Sequence, residues 1–171
     1  MLAVSSIGYL SPLAKVFLIF HIAMAVIMVG TGYVYPLLMS NLKERGSNRV
    51  PLTRVMKTIA HGFTAPFVLI QPITGVGLIL TTHTLWNPFR STNRWLFASI
   101  VLFAIIFVMD LFVIGPTIRR MHKLAEAGEF DSPAFDKQLA FANKVGPLMG
   151  ILFATITILM IWKPGAPNLH F

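Results

Sequence analysis

Residues 95–118 read WLFASIVLFAIIFVMDLFVIGPTI, twenty-four residues with a single charge at Asp110. At a rise of about 1.5 Å per residue this run spans about 36 Å, enough to cross a hydrocarbon core about 30 Å thick. Its β-branched residues do not make it a strand, because it is too long and too continuous. The alternating ten-residue segments of a membrane β-barrel are absent. It therefore reads as a transmembrane helix, and three more stretches of the same kind surround it. Residues 13–42 contain VFLIFHIAMAVIMVGTGYVYPLLM, residues 55–82 contain IAHGFTAPFVLIQPITGVGLILTT, and residues 143–162 contain KVGPLMGILFATITILMIW. The chain is thus expected to be all-α, an integral membrane four-helix bundle forming a single transmembrane domain over residues 1–171.

Composition agrees. The 171 residues are 56% hydrophobic and 12% charged, about half the charged fraction of a soluble domain. That is too little charge to coat a water-facing surface. The absence of cysteine excludes a disulfide scaffold, a thiolate metal site and covalently attached c-type haem. No basic segment precedes the first apolar run, so no cleavable signal is expected. No repeat of 20–50 residues and no low-complexity tract occurs.

The net charge of +8 raises the question of nucleic acid. The placement of the cations answers it. The loops around 43–54 and 119–142, with their flanks, carry Lys43, Arg45, Arg49, Arg54, Lys57, Arg119, Arg120, Lys123, Lys137 and Lys144. The other face has only Lys15, Arg90, Arg94 and Lys163. Cations concentrate in cytoplasmic loops, so these two loops are expected inside and both termini outside. The expected localisation is the bacterial cytoplasmic (inner) membrane, as a multi-pass protein. The lipid bilayer is the expected partner, a larger membrane complex or a homo-oligomer stays open, and nucleic acid is excluded. Within the third loop, KLAEAG extends helix three until Gly128. DSPAFDKQLAFANK then restarts with Asp131 or Ser132 as a cap before Pro133.

An ionisable group at the membrane centre costs roughly 2.5–3.5 kcal/mol on insertion scales, so each one needs a reason. His21, His61 and Asp110 are the ionisable residues that stand out, with Gln71 the leading uncharged one. Rise per residue places His21 about 12 Å below the outer edge, His61 about 9 Å and Asp110 about 12 Å from the inner edge. Two polar layers follow. The outer is centred on His21, level with Gln71, Thr74, Ser99 and Thr157. The inner holds a His61–Asp110 pair with Tyr33 or Tyr35 close by. His21 is a candidate axial ligand to haem or a ligand to copper, since neutral imidazole suits both. The alternative is a histidine hydrogen-bonded between helices. His61 is the second candidate cofactor-binding residue. A depth difference of about 9 Å counts against its clamping one haem together with His21 unless the helices are shifted or tilted, and one five-coordinate haem or two separate polar sites fits better. Asp110 is a candidate proton carrier or the partner that fixes the tautomer of His61, against a purely structural bond.

Met24 and Met28 follow His21 on one helix face, a pattern that thioether copper sites use and that core packing also produces. Gly30, Gly32, Gly75, Gly77, Gly146 and Gly150 either let helices approach closely or make room for a flat cofactor. Pro36, Pro66, Pro72, Pro116 and Pro147 predict kinks. Tyr9, Trp86, Trp95 and Trp162 fall where an aromatic boundary belt would. Arg119, Arg120, His122 and Lys123 are explained by orientation, with anionic lipid head groups as the alternative.

FHIAMAVIMVGTGYVYP in the first helix resembles the opening helix of the HemJ-type protoporphyrinogen oxidases and of the CopD-type copper-resistance membrane domain. TAPFVLIQPITGVGLIL resembles their second helix, and FANKVGPLMGILFATITILMIWKP their last. FVIGPTIRRMHKLAEAG resembles a family of small predicted integral membrane proteins in the same superfamily. The resemblance covers about Lys15 to Pro164. It implies the four-helix fold and haem b on His21, with electron transfer or a porphyrin-related redox role. A Lys that the HemJ family uses near the outer start of helix three is absent here, where RWLFASIV carries Ala98 and Ser99. A non-catalytic small subunit of a larger complex and copper handling through His21, Met24 and Met28 are the alternatives. No nucleophile–base–acid arrangement of a hydrolase can be assembled.

Overall fold

The computed structural model describes residues 10–44, 46, 48–82 and 87–164. Tyr9, Arg45 and Trp86 lie outside them. No strand occurs among the described residues, and four long helices do. Helix α1 covers Pro12–Asn41. Helix α2 covers Arg49–Thr82, with a π turn over Ile59–Thr64. Helix α3 covers Ser91–Glu126, opening on the 3-10 turn Ser91–Asn93 and carrying a second π turn over Asp110–Ile114. Helix α4 covers Pro133–Trp162. All four are long and apolar enough to cross a membrane.

The helices overrun the apolar windows on the side of the basic loops. The loops expected at 43–54 and 119–142 shrink to a few residues, because polar turns outside the hydrocarbon can stay helical. Capping sets the starts. Ser11 Oγ accepts from the Ala14 N–H at 3.1 Å, and Ser132 Oγ accepts from the Phe135 N–H at 3.2 Å. Each cap is followed by proline in the first turn, where its missing N–H costs nothing. Gly128, at φ 80°, follows the end of α3, and the Glu129 N–H returns to the Leu124 carbonyl.

Helix α1 packs between α2 and α4, and α4 also packs on α3. Helix α2 packs on α3 through Arg49–Thr58 and its π turn, closing the ring near the basic loops. The buried apolar core gathers in that half, around Met56, Ile106, Ile118, Met121 and Phe135. Elsewhere large side chains such as Ile19, Ile73 and Ile151 point outward, as lipid-facing residues do. The side of the short loops 42–48 and 127–132 is called the basic face below.

Two prolines, Pro66 and Pro116, sit two residues past the two π turns. Proline lacks the N–H and crowds the carbonyl four residues back, and a widened turn accommodates both. In each case the next N–H reaches five residues back, Ala65 to the Ala60 carbonyl and Gly115 to the Asp110 carbonyl. Pro36, Pro72 and Pro147 lie inside helices that stay α-helical.

Candidate intramembrane binding site

The outer polar layer forms between α1 and α2. Thr74 Oγ1 donates to the Gln71 carbonyl at 2.9 Å, which leaves its lone pair for the His21 Nδ1–H at 2.9 Å. His21 Nε2 then accepts from the Gln71 amide N–H at 3.2 Å. Both ring nitrogens are engaged, and this tautomer is the neutral one. Gln71 and Thr74 are buried, and Gln71 Oε1 has no hydrogen-bond partner. Gly75 accommodates the imidazole, since a Cβ there would stand 3.3 Å from His21 Cε1. Ser99 and Thr157 share the depth but turn their hydroxyls to their own helices, at the Trp95 and Phe153 carbonyls.

The inner layer differs from the expected pair. His61 is exposed on the outside of the bundle, and its Nδ1–H donates to the Lys57 carbonyl at 3.0 Å. No hydrogen bond or ion pair joins it to Asp110 among the described residues. Rise per residue gives height along a helix but not the direction a side chain faces, and His61 lies within a π turn, which alters that direction. Tyr33 also faces outward.

Asp110 instead lines a cleft of about 140 Å³ that runs between α1 and α4 to both π turns. Its polar wall includes Thr31, Tyr35 and Ser40 from α1, Lys43 just past its end, Thr64 from α2, Asp110 from α3 and Asn143 from α4. Its apolar wall includes Met28, Met39 and Phe153. Gly146 and Gly150 complete it, and a Cβ on either would meet nothing within 4 Å. Those two glycines therefore leave space rather than close a helix contact. Gly77 does the reverse, since a Cβ there would come within 2.6 Å of the Phe17 ring.

Thr64 is the distinctive member. Threonines elsewhere in the helices, such as Thr53, Thr81, Thr117 and Thr155, bond a carbonyl in the preceding turn. Thr64 is 6% exposed, its Oγ1 bonds no carbonyl of its own helix, and the Tyr35 hydroxyl stands beside it. It sits at the end of a π turn, where the Ala60 carbonyl, four residues back, already accepts from the Ala65 N–H.

Two sets of residues were not visible in the sequence as a site. Arg49, counted there only as a cation, is 2% exposed. Its guanidinium donates to the Leu42, Glu44 and Phe130 carbonyls at 3.0, 3.1 and 2.6 Å and to Asp136 Oδ1 at 3.1 Å. It also lies 3.4 Å from Asp131 Oδ1 and 4.8 Å over the Phe135 ring. It ties the two basic-face loops together. Beside it, buried His122 lies 3.4 Å from Thr53 Oγ1 and 3.2 Å from Glu126 Oε1. A polar residue's burial cannot be read from a loop composition: Arg49 carried no signal beyond its charge, and His122, grouped with Arg119, Arg120 and Lys123 under the lipid head-group alternative, is instead buried between Thr53 and Glu126. Trp95 also departs from its expected role as a boundary anchor. It is 3% exposed, with Lys163 Nζ 6.0 Å from its ring centroid, because the left-handed turn at Lys163 ends α4 there. Trp162 remains exposed, as an anchor would be.

Four apolar crossing helices around a largely apolar cleft with a few polar groups in its wall define an integral membrane four-helix bundle. Residues 15–164 match the family described as predicted integral membrane protein (DUF2269), and the chain belongs to that family. No curated protein and no solved structure matches it.

Proposed function

We propose that this chain binds a small, flat, lipid-soluble molecule with a hydrogen-bonding end, taken laterally from the membrane into the cleft between α1 and α4. The observation that carries this is the cleft wall itself, which sets Asp110 and the Tyr35 and Thr64 hydroxyls together in an otherwise apolar interior. A hydrogen bond to a polar group in an apolar interior is worth about 1–3 kcal/mol against leaving it unmade, and a ligand would add one to this wall. Asp110 favours a donating or cationic group at the same end. Two glycines without neighbours suit a planar body, and Met28, Met39 and Phe153 suit an apolar one. By the positive-inside rule the basic face lies in the cytoplasm, so the cleft belongs to the half of the bundle on that side.

Solvent extraction of the detergent-purified protein, followed by mass spectrometry, tests this directly. A stoichiometric small molecule is expected from the native chain and is lost when Gly146→Leu fills the cleft. Thr64→Val and Asp110→Asn lower its occupancy by about tenfold, the scale of one hydrogen bond. Equal recovery from the native chain and Gly146→Leu would sink the proposal.

Haem b on His21, which the resemblance to HemJ-type proteins implies, does not fit the residues present. Both imidazole nitrogens are bonded within the protein, and the ring packs at Gly75. His61 is exposed on the outside of the bundle and is not brought to His21. The same engagement of His21 counts against copper on His21, Met24 and Met28. The expected visible spectrum has no Soret band. A Soret band that disappears in His21→Ala would restore the redox role.

A further inference from the structure

A second, separate depression lies on the lipid-facing side, between the end of α3 and the first turns of α4, with a volume of about 310 Å³. Its walls carry polarity in a definite order. Phe112 and Pro116 on α3 and Phe141 on α4 form the part nearer the membrane centre. Arg120, one turn beyond Pro116, and Lys137, one turn before Phe141, form the part nearer the basic face. No acidic side chain lines it. Both cations are exposed, and neither makes an ion pair or hydrogen bond among the described residues. Arg49 and Arg54 on the same face are matched to carboxylates. Phe112 is 72% exposed, a large apolar ring turned outward directly below the two charges.

We propose that this groove binds one anionic phospholipid of the adjoining leaflet. The phosphate sits between Arg120 and Lys137, and the start of an acyl chain runs over Phe112 and Phe141. Charge complementarity selects an anionic head group, and a juxtamembrane cation near an anionic leaflet supplies attraction of the needed sign and range. The apolar floor lies at the depth of the hydrocarbon, which distinguishes a lipid from a soluble phosphate. The proposal does not depend on the interior cleft, which opens between different helices.

Native mass spectrometry of the full chain in detergent, titrated with phosphatidylglycerol and with zwitterionic phosphatidylcholine, is the test. Phosphatidylglycerol is expected to be retained about thirtyfold more strongly, as two cations near the surface would give at about 1 kcal/mol each. The double variant Arg120→Gln/Lys137→Gln should lose that preference. Arg119→Gln/Lys123→Gln removes the same charge outside the groove and should keep it. Neither pair bonds another side chain, so both variants keep the fold. Equal loss in the two variants would mean diffuse attraction and overturn the site. So would absence of any preference in the native chain. Displacement of the lipid by glycerol phosphate at matching concentration would assign the groove to a soluble phosphate and overturn the lipid.

Discussion

Arg49 holds the basic-face end of the bundle through three backbone carbonyls, a carboxylate and an aromatic ring. Replacing it with alanine strands those carbonyls where water reaches them poorly. Arg49→Ala is expected to cost roughly 2–4 kcal/mol, less than a fully buried pair because Asp131 and Asp136 are partly exposed. Arg49→Lys recovers only part, since an ammonium cannot fork to several acceptors at fixed angles. Thermal unfolding in detergent measures both, and an unchanged midpoint in Arg49→Ala would contradict the clamp. Lys163 gives a pH-dependent counterpart at the opposite end. Burial pushes its ammonium from the ordinary 10.5 down to about 8. The folded state then sheds the proton before the unfolded chain does, so stability rises with pH between about 8 and 10.5. Unfolding midpoints across that window should climb in the native chain relative to Lys163→Gln; parallel profiles would refute it. Neither role was legible in the sequence, where Arg49 and Lys163 are cations near helix ends. His21 was legible as a polar residue needing partners, and Gln71 and Thr74 as neighbours at its depth. Which atoms they share required the facing of two helices.

The five prolines announced irregular helices, but not the form of the irregularity. Two of them, Pro66 and Pro116, lie beyond π turns, and those turns bring Thr64 and Asp110 to one cleft. The glycines divide similarly into two functions that composition cannot separate. Gly77 receives the Phe17 ring, whereas Gly146 borders open space. Gly77→Ala should therefore force the Phe17 ring out of its seat and cost about 1–3 kcal/mol, as overpacking does. Gly146→Ala should leave the fold intact and slightly stabilised, because alanine is about 1 kcal/mol better than glycine within a helix. Comparing the two midpoints checks the division, and a larger loss in Gly146→Ala than in Gly77→Ala would reverse it.

For the whole molecule, four apolar runs of crossing length were enough to read the bundle, because a bilayer admits few other structures for them. The cleft was not readable, since it depends on where four helices leave a gap. Orientation lies between these cases: the structure places the basic loops on one face, and the positive-inside rule supplies the direction. The chain has no cysteine, so single introduced cysteines report without background. Phe89 lies in the loop opposite the basic face and is 86% exposed, and Glu129 is exposed in the loop before α4. In intact cells a membrane-impermeant maleimide should label Phe89→Cys and spare Glu129→Cys until the membrane is opened. The reverse pattern would turn the bundle over. It would place ten of fourteen cations outside, against the bias by which basic loops stay in the cytoplasm. The leaflet supplying the groove at Arg120 and Lys137 would change with it.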